Sequence, residues 1–511
     1  MPKHREQANS APPPPVFSTP RRTPEMIANP ANWVNVVSYG HPMEKSYVGP
    51  GPWDDEAQSE ASHLVKLRYS DLQVMIRDEE GDVANDILSH VPRLGRLHGV
   101  LQLAAKSIMD TGDQSAKPPE ERDDQLPFPH TRFAHTIQVL GVGLAILQQN
   151  GIGPEDKLTK LYTAAALLHD IATPAFGDSV KPIDRDALDE EAHWHKMIGP
   201  DGWKYIESLG LTRVEIDEAI HNKGVAGQLL DIADRIAYVT EDAFQMVGTP
   251  EAAKKDSARS PIEKCVVAAP DIGNIYKNIR IKDGQVYCDS PEKLTQFLKL
   301  RSELFNSAYM FPPNNFRDVM LRELVAPLYP HVLSADDLRL LDDKMLLQVL
   351  NDIYHTPLTN LTLFYAIGFW TPALREVASK KEMDASIKSL RRSGKYVVGS
   401  TEPYGYSPGT KVLVESGGKI QAASLAFPDL DTEIRQRSAA LRSKMQVFYI
   451  DPSSREITVQ SLLRLVQAAH VYEGSKTVER NGASGGKGTI YRTPRSAILE
   501  KHRAELAALD H

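Results

Sequence analysis

A chain of 511 residues is too long for one ordinary hydrophobic core and predicts two or three folded units, and a 41% hydrophobic content is enough to fill them. Lys+Arg 59 against Asp+Glu 67 give a net charge of -8, which excludes the overall basic excess of a dedicated nucleic-acid binder, so an anionic ligand has to be met by a local cluster of basic side chains. Cys265 and Cys288 are too few for a disulfide framework or a thiolate zinc site, and no apolar run reaches the ~18 residues that span a bilayer; the expectation is a soluble, cytoplasmic protein with neither nucleic acid nor membrane as partner.

From Met1 to Pro30, prolines recur among polar residues, a composition that buries too little apolar surface to offset chain ordering, and a disordered arm is expected. Residues 31–65, with Trp33, Val34, Val36, Val37 and Tyr39, are expected to dock on the body as an extension. From Lys66 to Asn351 the apolar spacing is that of helices. One runs from about His135 to Gln149 and stops at Asn150-Gly151; the next starts after Gly153-Pro154, with Glu155 and Asp156 at its positive end, and finishes before Pro174. The polar stretch Thr111 to Gln125 reads as a surface insertion. Beyond Val377 the texture changes. Lys395 to Val398, Lys411 to Val414 and Gln446 to Ile450 read as strands, with a helix near Asp431 to Arg442, which predicts a small α+β unit over residues 378–470. The Gly-rich stretch Asn481 to Gly488 lacks phosphate-loop spacing and reads as a linker within residues 471–511, before a terminal helix. The fold class expected is mainly α, with this small α+β unit at its C-terminal end.

Three helical segments carry potential metal ligands: Thr131-Arg132-Phe133-Ala134-His135, Leu167-Leu168-His169-Asp170 and Asp231-Ile232-Ala233-Asp234-Arg235. Consecutive helix residues point about 100° apart, so His169 and Asp170 reach one ion only near a helix end or where another element closes over them, and Pro174 supplies that end. Leaving Asp170 unpaired at the end of the apolar run Ala164 to Leu168 would be costly, so it should face a partner or a cation. Two His and two Asp make a mixed N/O set suited to one transition-metal ion, with Mn, Fe, Zn, Ni and Co all compatible.

The order His, then His-Asp, then Asp, on separate helices, resembles the HD superfamily of metal-dependent phosphohydrolases. The surrounding text, from Ile76-Arg77-Asp78 through Arg96-Leu97, Gln102-Leu103, Phe128 to His135, Asp231 to Tyr238 and Leu300 to Tyr309, is similar to one branch, the deoxynucleoside triphosphate triphosphohydrolases, a group that includes dGTPases and the SAM-and-HD-domain enzyme. The resemblance spans residues 74–350. It implies a helical HD core as part of a unit over residues 66–377, metal ligands His135, His169, Asp170 and Asp234, and hydrolysis of a (deoxy)nucleoside triphosphate to nucleoside and tripolyphosphate, with Mg accompanying the phosphates.

It also implies a nucleotide pocket. Asp234, Tyr238 and Asp242 fall at i, i+4 and i+8 of one helix, opposite the stripe Ile232, Ile236 and Val239. By resemblance Arg235 contacts phosphate, Tyr238 packs on the sugar and Asp242 bonds its 3′-hydroxyl. Arg301, Phe305 and Tyr309 share a face of a second helix. The resemblance assigns Arg301 and Arg132 to phosphates, Tyr309 to the base, and Gln102 and Leu103 to the sugar. Arg132, Arg235 and Arg301 then supply the local positive cluster that the net charge demands. A homo-oligomer is expected.

The match departs after Asp170. Thr173 and Asp178 stand where relatives carry histidines. Asp178 becomes the candidate general acid, His193 and then His195 its alternatives, with Asp189-Glu190-Glu191 a further source of replacements. Two other functions fit the same residues: a nucleotide phosphomonoesterase or phosphodiesterase, and a catalytically weak nucleotide sensor.

Overall fold

A computed structural model of the chain describes residues 63–76, 82–104, 130–248, 260–310, 312–354, 373–401, 412–442 and 445–453, with a few isolated positions beyond them. The expected N-terminal arm, the insertion at Thr111 to Gln125 and the Gly-rich linker lie outside the described residues.

The architecture is mainly α, as expected. An N-terminal hairpin of β1 (His63–Lys66) and β2 (Gln73–Ile76) and helix α1 (Val83–His90) precede a 3-10 turn at Pro92–Gly99. The central layer is then α2 (Arg132–Gln149), α3 (Lys157–Leu168), α4 (Arg213–Ile220) and α5 (Gly224–Val247). Local chemistry sets the boundaries. The Thr131 hydroxyl accepts from Ala134 N at the start of α2, and Asp156 accepts from Leu158 N to open α3. Thr212 and Glu215 form a reciprocal capping box at the head of α4. Helices α2, α3 and α5 pack on one another. The approach of α2 to α3 is set at Gly143, where a Cβ would lie 1.9 Å from Tyr162 Cζ. The Tyr162 hydroxyl there donates to Val139 O at 2.5 Å. Ile137, Val139, Val142, Ile146, Leu167 and Ile236 are fully buried between these helices, each contributing about 1.5–3 kcal/mol.

Beyond this layer come β3 (Ile279–Lys282), β4 (Gln285–Cys288), α6 (Pro291–Leu304), a π-helical turn (Phe305–Tyr309), α7 (Pro312–Val325) and α8 (Asp343–Tyr354). The C-terminal residues form β5 (Ala373–Val377), α9 (Lys380–Arg392), β6 (Tyr396–Thr401), β7 (Leu413–Ser416), β8 (Lys419–Ala422), α10 (Pro428–Arg442) and β9 (Met445–Ile450). Two of the expected C-terminal strands, β6 and β9, do share a sheet, in the order β5-β9-β6, with α9 across one face. The third does not. Strand β7 pairs in parallel with Gln285–Cys288, and with β8 it completes a four-stranded sheet whose other half is the hairpin Ile279–Lys282/Gln285–Cys288 inside the helical region. Part of the C-terminal sequence is thus built into the core: Val412, Val414 and Ala423 are buried among the residues of the main cluster. No described helix is long and apolar enough to cross a membrane.

Candidate metal centre

Three of the four expected ligands converge. His135 lies one turn into α2, His169 caps the C-terminus of α3, and Asp234 sits midway along α5. Donor atoms of these three lie within 4.8 Å of one another, with His135 Nε2 2.9 Å from Asp234 Oδ1. Adjacent ligands of one ion at bonds of about 2.1 Å lie roughly 3–4 Å apart, so modest closure around a cation completes the set. The tautomer of His169 is fixed by the chain. Its Nδ1 lies 2.8 Å from Ala166 O, a carbonyl that needs an N–H, which leaves the lone pair on Nε2. That Nε2 is buried and has no hydrogen-bond partner among the described residues, as an atom reserved for a metal would be.

The fourth ligand is turned aside. Asp170 Oδ2 is 3.6 Å from His169 Nε2 and 4.0 Å from His135 Nε2, but it accepts a 2.9 Å hydrogen bond from Arg132 Nη1. Burial would push the Asp170 carboxyl up; the Arg132 guanidinium and the two neighbouring histidines outweigh it and hold it far below the usual carboxylate range. Burial of Asp234 is likewise outweighed, by the hydrogen bond and charge of His135, so its carboxyl is also lowered. Two carboxylates kept ionised, Asp170 buried and Asp234 partly exposed, form with two imidazoles a donor set that fits a divalent cation.

The turn after Asp170 is rigidly held. Part-buried Arg96 donates to Ile171 O at 3.0 Å and Thr173 O at 2.6 Å, while Asp343 accepts from Phe176 N at 2.6 Å, which holds Phe176 in the left-handed region at φ 57°. Thr173 donates its hydroxyl to Asp170 at 3.4 Å.

The expected pocket residues gather beside this centre. Gln102 N donates to His130 O and Leu101 bridges Thr131, so Gln102 and Leu103 lie against the head of α2. Arg301 Nε donates to the Tyr238 hydroxyl, and the Tyr309 hydroxyl donates to Asp242. Two hydrogen bonds thus join the polar face of α5 to α6 and the π-helical turn that ends it, a bulged geometry often found at functional sites. Burial, with the charge of Glu241 added, outweighs the Tyr309 hydrogen bond and pushes the Asp242 carboxyl up to about 7. Arg235 is drawn back one turn along α5, with Nη2 2.6 Å from Asp231 Oδ1.

The two acid candidates fare differently. Asp178, with its side chain 60% exposed, stands between Lys181 Nζ at 3.1 Å and Arg132 Nη2 at 3.9 Å. His193 is not brought to the centre: its Nε2 turns back to the carbonyl of Asp186 at 3.1 Å, and burial lowers its pKa. The sequence reading gave no role to Lys181, or to the buried group in which Glu241 accepts from Arg68, Gln138 and Gln245 and which fastens the N-terminal hairpin to α2 and α5. An acid in the otherwise apolar succession Ile236, Val239, Thr240 was the available signal for the latter.

Residues 132–239 match the family model of the HD domain. No curated protein matches the chain. Among solved structures, a hypothetical protein from Aquifex aeolicus is similar with TM-score 0.51 and 15% identity, over 79% of this chain and 100% of that one. A phosphohydrolase from Bacteroides thetaiotaomicron VPI-5482 is similar with TM-score 0.52 and 15% identity, over 76% and 99%. At such identities the likeness is one of fold.

Proposed function

We propose that this chain, which carries an HD domain, is a metal-dependent phosphohydrolase that hydrolyses (deoxy)nucleoside triphosphates to nucleoside and tripolyphosphate. The observation that carries the reading is a single juxtaposition. Helix α5 bears Asp234 of the metal cluster and, one and two turns on, Tyr238 and Asp242, which are joined to Arg301 and Tyr309.

His135, His169, Asp170 and Asp234 would hold one transition-metal ion, which when bound supplies a water activated for attack at neutral pH. Arg132 and Arg301 bind phosphate oxygens and orient the α-phosphorus for attack. Tyr309 must leave Asp242 for a sugar hydroxyl to take its place, with Gln102 and Leu103 bounding the sugar. Addition of water breaks the bond from the α-phosphorus to the 5′-oxygen, and Asp178 takes the proton that the water releases and passes it to that oxygen. The phosphohydrolase name of one structural neighbour supports the reaction class, and the likeness of the pocket residues to triphosphohydrolases supports the substrate.

Product analysis tests this. Metal-loaded protein is incubated with the common ribo- and deoxyribonucleoside triphosphates and the products are followed by phosphorus NMR. Free tripolyphosphate supports the reading; inorganic phosphate alone reports cleavage of the terminal anhydride and contradicts it. Thr173 and Asp178 in place of histidines favour a second reading, a nucleotide sensor, for which tight nucleotide binding without turnover is the expected result.

A further inference from the structure

Next to Arg132 lies a part-buried ion pair that the proposed mechanism leaves unused. Lys181 Nζ donates to Glu190 Oε1, with side chains 24% and 13% exposed. Glu190 Oε2 is buried and has no hydrogen-bond partner among the described residues. The pair is continuous with the metal cluster: Lys181 Nζ to Asp178 Oδ1 is 3.1 Å, Asp178 Oδ2 to Arg132 Nη2 is 3.9 Å, and Arg132 Nη1 to Asp170 Oδ2 is 2.9 Å. A polyphosphate held at Arg132 therefore extends toward Lys181.

We propose that Lys181 is a further polyphosphate-binding residue, transferred from Glu190 to the ligand as Glu190 takes up one proton. The inference rests on the phosphate-binding part of the proposed function and adds to it a cation and a coupled protonation.

Charge balance drives the exchange. With Asp170 given to the metal ion, Lys181 and Arg132 are matched by Asp178 and Glu190, two carboxylates to two cations. A multiply charged anion entering this group finds no net positive charge unless one carboxylate is neutralised. Asp170 is bonded to Arg132 and strongly favours its charged form. Glu190 is the opposite case. Burial raises its carboxyl, with Asp178 and Asp170 adding to the rise and Lys181 opposing it, and removal of Lys181 to a ligand raises it further. Arg132 on α2 and Glu191 on its own helical turn complete the charged groups around it. The orphaned Oε2 gives the incoming proton a place to sit.

The test is calorimetric titration of metal-loaded protein with inorganic tripolyphosphate near pH 7, in buffers of low and high ionisation enthalpy. Proton uptake is read as the difference between wild type and Glu190→Gln, so that protonation of the ligand itself cancels. The expected result is uptake of close to one proton by wild type relative to Glu190→Gln, and at least tenfold weaker binding by Lys181→Gln. If Glu190→Gln does not fold, Lys181→Gln replaces it as the reference: the proposal has Glu190 take up its proton when the cation is lost, so the same uptake difference is expected. Equal uptake in wild type and variant, or no tripolyphosphate binding by wild type, overturns the inference. Turnover of triphosphates is scored separately. Proton-coupled binding without hydrolysis removes the proposed reaction and leaves the Lys181 site, whereas hydrolysis with no Glu190-dependent uptake does the reverse.

Discussion

Arg132 Nη1 donates to Asp170 Oδ2 at 2.9 Å, so the carboxylate expected to bind the metal is shared with the arginine expected to bind the phosphate. The two functions meet in one hydrogen bond. Both side chains are more than nine-tenths buried, so removal of the arginine strands a charge. Arg132→Ala is expected to lower the stability of the metal-free protein by about 3–5 kcal/mol. Saturating Mn should restore a large part of that, because the ion then satisfies Asp170. Thermal unfolding with and without Mn measures this, and an unchanged deficit would remove Asp170 from the ligand set.

Arg301 reaches the pocket from α6 and holds the Tyr238 hydroxyl. With phosphate as its proposed partner, Arg301→Ala should weaken triphosphate binding by roughly 10- to 100-fold and leave nucleoside binding nearly unchanged. Isothermal titration with both ligands decides, and equal weakening of the two would move Arg301 away from the phosphates.

Asp242 gives a pH signature. Its carboxyl is pushed up to about 7 in the folded protein, against about 3.9 in an unfolded chain. Between those values the native state binds the extra proton, so stability falls as pH rises from about 4 through about 7 and is flat above that. Asp242→Asn should remove this component, on the order of a few kcal/mol across the window, and chemical denaturation at several pH values reads it. Parallel pH profiles for wild type and variant would contradict the assignment.

Asp178 is offered as the acid on position alone. Asp178→Asn should lower turnover by about 10²- to 10⁴-fold with metal content intact. Normal turnover would take the role from Asp178.

Much of this organisation is legible in the sequence because it is local. Asn150 and Asp156 mark helix ends by chemistry within a turn of themselves, and His135, His169, Asp170 and Asp234 stand out as an ordered set of ligand types. What escapes is non-local. Strand β7 reads as a strand, but nothing within it specifies a partner more than a hundred residues earlier, Gln285–Cys288. Nor does adjacency to His169 tell which way Asp170 turns; Arg132 decides that. Glu190 reads as one acid of a solvated run because its burial depends on Lys181, which arrives from a separate turn, while His193 in the same run is directed to a backbone carbonyl.

The most direct test of the account is the metal content of the purified protein. Elemental mass spectrometry on wild type, His169→Ala and Asp234→Ala, all prepared anaerobically, should find close to one transition-metal ion per wild-type chain and less than a tenth of that in either variant, with circular dichroism showing all three folded. Equal metal content in the three proteins would contradict the centre as described.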